Sequence, residues 1–179
     1  VPELRTARLV LRDALLADPV LYEANFADYE VIRELAAAVP WPYPAGGVAA
    51  FLDRLRPVQG ISRWCWAIYV KGELGEPIGN VDLFRDSSAE NRGFWLARRF
   101  WGLGYMTEAT DAVTDYAFDV LGFERLVLSN AVGNVRSRRI KQKAGAVFLR
   151  TEPARFVNPG YAAREVWALT REVWRARRG

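Results

Sequence analysis

The chain has 179 residues, 51% hydrophobic and 26% charged, which suits one folded domain over 1–179 that buries ~70% of its unfolded surface. It has no histidine and one cysteine, Cys65, so a Ser-His-Asp triad, a Cys-His pair and an internal disulfide are excluded, and a metal site is not expected. The net charge of +4, with 22 arginines among 25 basic residues, fits a solvated surface or a small polyanionic ligand and argues little for nucleic acid.

"RLVLRD" (8–13) alternates and predicts a strand. Asp18-Pro19 reads as an N-cap and first helical position, and "DYEVIRELAAA" (28–38) predicts a second helix. Three prolines and two glycines make "VPWPYPAGG" (39–47) a loop, and "VAAFLDRL" (48–55) resumes a helical period. "WCWAIYV" (64–70) and "PIGNVDLFR" (77–85) read as a hairpin about a turn at 71–76, followed by a short strand, "GFWLA" (93–97). From Thr107 the apolar residues Ala109, Ala112, Val113, Tyr116, Ala117, Val120 and Leu121 give a helix with one buried face, closed by Gly122. "ERLVLSNA" (124–131) is apolar enough to be a central strand. "NVRSRRIKQKAG" (134–145) lies between an Asn cap and a Gly cap but is weakly amphipathic; "AVFLR" (146–150) and "REVWALT" (164–170) end the order as strands. The expected fold is a mixed α/β sheet in one domain. Neither a signal-like start nor an ~18-residue apolar run is present, and the lone cysteine fits a reducing compartment, so a cytoplasmic protein without membrane contact is expected.

Two stretches could carry chemistry. In "ARRFWGLGYMTEAT" (97–110), Gly102 and Gly104 precede a helix whose first N–H groups could hold a phosphate, with Arg98 and Arg99 adjacent. From that segment alone, a turn that needs glycine for sterics is the preferred reading. A Walker loop is excluded because Tyr105 follows Gly104, and a dinucleotide fingerprint because Thr107 replaces its third small residue. In "NVRSRR" (134–139), Asn134 and Ser137 share a helix face, with Arg136, Arg138 and Arg139 close by; from that stretch alone an ordinary N-cap before a basic surface is the preferred reading.

Taken together, "RTARLVLRD", "IGNVDLF", "GFWLARRFWGLGYMTEA", "YAFDVLGFERL", "NVRSRR" and "ALTREVW" follow in an order that resembles the GNAT acyl-CoA-dependent N-acetyltransferases, nearest the RimJ/RimL type. Arg99-x-x-Gly102-x-Gly104, Glu108 and Asn134-x-x-Ser137 carry the resemblance. It implies a mostly antiparallel sheet of about seven strands, splayed between two parallel strands at 93–97 and 124–131, with four or five flanking helices. It implies acetyl-CoA as co-substrate, its pantetheine along Trp95, Leu96 and Ala97, and its pyrophosphate on the amides of Gly102, Leu103, Gly104, Tyr105, Met106 and Thr107. Arg99 and Arg138 would add charge. Asn134 would touch pantetheine, Ser137 would protonate the departing thiolate, and an N–H near Leu96 would serve the oxyanion.

The base is the point of departure: the family often has Glu-x-Gly before the strand, whereas here Asn91 holds that position and Glu90 lies one residue earlier. A one-residue slip reverses the facing on a strand, so Glu90 and Asp82 are both candidates, and water is a third. Lys141, Ala144 and Ala146 also stand where the family prefers larger apolar residues, a difference expected to concern packing. Trp41, Tyr43, Trp64 and Trp66 could line an acceptor pocket or fill the core. The expected reaction is acetyl transfer to a primary amine, on a peptide N-terminus or a small molecule, in a ternary complex. A coenzyme-binding module without chemistry is the alternative, and the exposed aromatics are compatible with a homodimer.

Overall fold

The computed structural model describes residues 1–73, 75–85 and 90–178. Within the expected hairpin turn, Leu74 lies outside the described residues. Five consecutive strands form one antiparallel sheet: β1 (Leu4–Arg5), β2 (Leu9–Asp13), β3 (Arg63–Val70), β4 (Gly79–Phe84) and β5 (Arg92–Leu96). A second sheet has the order β6 (Arg125–Ala131), β8 (Ala163–Thr170), β7 (Val147–Pro153). Six helices accompany them among the described residues: α1 (Pro19–Phe26), α2 (Tyr29–Ile32), α3 (Gly47–Leu55), α4 (Tyr105–Asp119), α5 (Val135–Ala144) and α6 (Arg171–Arg178).

The layers follow from the two-residue period of β3. Trp64, Trp66 and Ile68 face one core with Leu9, Leu11 and the buried stripe of α4; Cys65, Ala67 and Tyr69 face the other with Tyr22, Phe26 and Leu52 of α1 and α3. Trp64 and Trp66 are therefore core residues and do not line the cleft described below. Asp18 caps α1 as expected, accepting from Val20 N–H at 2.8 Å and Leu21 N–H at 3.2 Å. Asn134 and Gly145 bound α5, which forms despite its weak apolar period.

Four expectations change. The helix expected over 28–38 ends at Ile32, because the following backbone pairs across the chain instead: Asn158 and Val157 donate to the carbonyls of Arg33 and Leu35 at 3.0 Å each. α4 begins two residues before Thr107, at Tyr105, and its last turn leaves Val120 exposed. α6 was not foreseen; Trp174 docks it on α4, its indole N–H donating to Asp115 at 2.8 Å. Finally, β6 is not central to a hydrogen-bonded sheet, since β8 holds that place. β6 meets β5 at Asn91, whose N–H donates to the Val127 carbonyl at 2.7 Å and whose Oδ1 accepts from Val127 N–H at 2.7 Å. Beyond that clasp the strands part, and the later residues of both line one cleft, so they run in the same sense.

Candidate active site

The cleft, about 650 Å³, opens where β5 and β6 separate. Its first wall is the free edge of β5. Phe84 N–H bonds the Asn91 carbonyl and Ala97 N–H bonds the Ile78 carbonyl, both at 2.8 Å. In an antiparallel ladder such pairing alternates. The peptide groups of Gly93 and Trp95 are thus committed to β4, while those of Phe94 and Leu96 turn toward β6. Trp101 covers the Leu96 carbonyl with its indole N–H at 2.7 Å, and the Leu96 N–H points into the split. The register therefore divides the expected trio. Leu96, with Phe94, supplies the free peptide edge; Trp95 also lines the cleft, its indole packed between Tyr22 and Phe26, and Ala97 lies outside it.

The second wall is the start of α4. Gly102 and Gly104 adopt φ of +78° and +81°, where a side chain would be strained. The first helical bond runs from Glu108 N–H to the Gly104 carbonyl at 3.1 Å, so the amides of Tyr105, Met106 and Thr107 have no partner within the helix, and no side chain caps them. Those three residues and both glycines line the cleft; Leu103 does not, its side chain being exposed.

The turn is held from β2. Arg8 donates to the Leu103 carbonyl at 2.9 Å and to Glu108 at 2.7 Å, and stacks 4.6 Å from the Tyr105 ring centre. Glu108 also accepts from the Arg8 N–H at 2.7 Å and from the Thr6 hydroxyl. Burial alone would raise the Glu108 pKa, but these donors outweigh it and hold the carboxyl below its ordinary range. Arg99 faces away, paired with Glu76 and stacked on Phe100.

The third wall is α5. Asn134 Oδ1 accepts the Ser137 N–H at 2.9 Å as the helix cap. On the helical period Arg136, Ser137, Arg139, Ile140 and Lys143 share the cleft face. Arg138 falls on the other side and binds Glu165, with Nε 3.0 Å from Oε2. Basic charge thus reaches the cleft from Arg139 and Lys143 rather than from Arg138. Arg136 lies 3.9 Å over the Trp101 ring and 3.3 Å from Glu34, which the chain pairing at 33–37 brings into the wall.

Of the two candidate bases, Glu90 lines the cleft and accepts from Ser129 Oγ. Asp82 does not line it and is held by Arg63 at 2.8 Å. Trp41 and Tyr43 lie off the cleft as well, against Tyr29 and Phe26.

Lys141, expected to matter for packing, is buried beneath the site. Its Nζ donates to Ser137 Oγ at 2.8 Å and lies 5.7 Å from the Phe94 ring. Burial, then the charge of Arg92, pushes its pKa down to about 7 against the pull of Glu90 and Glu165. Arg92 is buried too, bound to Thr114 at 2.8 Å. The sequence marked Lys141 as odd, but nothing local signalled Arg92 or Trp101.

A strand pair parted over an uncapped helix start, with arginines and a lysine along one wall, defines the cleft of this α/β protein. The profile of the acetyltransferase (GNAT) domain matches residues 8–147, and the chain belongs to that family. It is 33% identical over 85 residues to YdaF of Bacillus subtilis (strain 168), a match covering 46% of this chain and 45% of that protein. The chain spans about half the length of the curated relatives it matches. Its fold is shared with RimL, a ribosomal L7/L12 alpha-N-protein acetyltransferase solved with coenzyme A, at 18% identity and a TM-score of 0.75, covering 94% of this chain and 98% of that one. The ribosomal-protein-S5-alanine acetyltransferase of Vibrio fischeri also shares it, at 16% identity and a TM-score of 0.75, covering 97% and 99%. These similarities agree with the RimJ/RimL-like branch expected from the motifs. Among the described residues no helix is long and apolar enough to cross a membrane, and no group of three metal-ligating side chains occurs.

Proposed function

We propose that the protein is an N-acetyltransferase that moves the acetyl group of acetyl-CoA to a primary amine by direct attack in a ternary complex. The observation that carries this reading is the start of α4: three amides without intrahelical or side-chain partners open on the cleft beside the free edge of β5. Such amides and the helix dipole suit a diphosphate, and the edge of Phe94 and Leu96 suits the amide-bearing pantetheine arm. Arg139 and Lys143 add charge for phosphates at the mouth.

The remaining groups suit the reaction. Leu96 N–H is directed where it can stabilise the carbonyl oxygen as the amine attacks. Glu90, a cleft carboxylate beside Ser129 on the β6 side, is the group placed to take the amine's proton. Ser137 can return a proton to sulfur. YdaF, described as a ribosomal N-acetyltransferase, and RimL, described as an alpha-N-protein acetyltransferase, support a peptide N-terminus as the amine.

The test is calorimetric titration with acetyl-CoA, followed by thiol release over a panel of N-terminal peptides and small amines. Saturable binding and amine-dependent thiol release are expected. No binding at millimolar acetyl-CoA overturns the reading; binding without release from any amine makes the protein a coenzyme-binding module instead.

A further inference from the structure

Lys141 stands where the family resemblance implies an apolar side chain, yet charged and polar groups surround it. Its fully buried amine points at the one hydroxyl that α5 presents to the splayed strands. Its Nζ is 2.8 Å from Ser137 Oγ and 3.4 Å from the Ser137 carbonyl. The charged groups facing it are Arg92 from β5, Glu90 just before β5 and Glu165 from β8, with the Phe94 ring packed alongside. A buried amine costs stability, and such groups cluster at functional sites.

We propose that Lys141 is a positioning residue for acetyl transfer: its ammonium donates to Ser137 Oγ, turns the Ser137 O–H toward the thioester sulfur, and replaces the proton that Ser137 gives up. This rests on the acetyl-transfer reading above. As the amine nitrogen bonds to the carbonyl carbon, the C–S bond breaks and its electron pair stays on sulfur. The Ser137 proton passes to sulfur and a Lys141 proton passes to Ser137 Oγ. The attacking nitrogen releases its extra proton to Glu90 or water, and solvent recharges Lys141. The products are the acetamide and the free thiol.

The environment suits this role. An ordinary lysine, at about 10.4, is a weaker acid than an alkyl thiol at about 8.5, and transfer toward sulfur would run uphill. At about 7, Lys141 gives its proton downhill. When Lys141 is neutral its lone pair accepts the Ser137 O–H, and the hydroxyl turns away from sulfur.

The chain has three lysines, Lys71, Lys141 and Lys143, so lysine labelled with 13C at Cε gives three NMR signals, and Lys141→Met identifies its own by loss. The Lys141 signal is expected to titrate near pH 7 and to shift in Ser137→Ala; titration alongside the other two overturns the proposal. With an amine that supports thiol release, kcat of the unaltered protein should fall as pH rises through about 7, and Lys141→Met should lose that limb while KM for acetyl-CoA stays within about twofold. Ser137→Ala should lower kcat about tenfold in the unaltered protein and about twofold or less in Lys141→Met. An unchanged alkaline limb or an undiminished Ser137 effect refutes the relay. Absence of thiol release from every amine instead refutes the transfer reading beneath it, and the two failures are thereby distinguished.

Discussion

Replacing Lys141 by methionine should stabilise the protein, and by an amount that depends on pH. The lysine is held at about 7 in the fold, against about 10.4 in an unfolded chain. Between those values the unfolded state binds the extra proton, so stability rises with pH. The cost of the buried amine is therefore complete below pH 7, shrinks as pH rises toward 10, and is absent above. Some three pKa units at 1.36 kcal/mol each make it on the order of 4 kcal/mol. Methionine keeps the length and packs against Phe94, but it forfeits the bond to Ser137, about 1 kcal/mol. It also relieves Arg92 of a like charge and removes one favourable charge from Glu90 and from Glu165, which stays paired with Arg138. The net gain should be roughly 2–4 kcal/mol at pH 6 and near zero at pH 10. Urea denaturation of both proteins at pH 6, 8 and 10, with matched m-values, measures it. A less stable variant at pH 6, or a difference that does not vary with pH, would refute the reasoning.

Gly104→Val should weaken acetyl-CoA binding tenfold or more, because the φ of +81° disfavours a side chain and its Cβ would lie 3.3 Å from the Arg8 guanidinium that steadies the turn. Unchanged affinity by calorimetry would remove the phosphate-cradle assignment. Glu108→Ala should cost about 1–2 kcal/mol at neutral pH, since it removes the shared acceptor of the Arg8 guanidinium, the Arg8 N–H and the Thr6 hydroxyl. Its carboxyl titrates below the ordinary range in the fold, so its contribution is present above about pH 4.3 and is lost as pH falls through the folded value. The denaturation curves of variant and parent should converge in acid, and a gap that persists there would disprove the account.

Local chemistry made much of this molecule readable. Asp18-Pro19, Asn134 and Gly145 mark helix ends because caps act within a few residues, and Gly102 and Gly104 announce positive φ because no other residue takes it cheaply. The aromatic and β-branched run at 64–70 declares a strand, and the ordered motifs declare the family. Other features depended on partners far along the chain. The 28–38 segment holds a helical period, yet pairing with 155–158 ends the helix at Ile32. The motif named Trp95, Leu96 and Ala97; Trp95 and Leu96 line the cleft and Ala97 does not, while the register with β4 turns the peptide edge of Phe94 outward beside that of Leu96. Arg138 and Arg139 are neighbours in sequence, and Glu165, contributed by β8, draws the first away from the cleft.

Composition and short-range preference determined which elements form and which family they build, because helix capping, turn conformation and strand alternation are decided within a few residues. Tertiary structure alone decided which amides face the split between β5 and β6, and that Lys141 lies dry beneath Ser137, because strand register and dielectric environment arise only when distant segments meet.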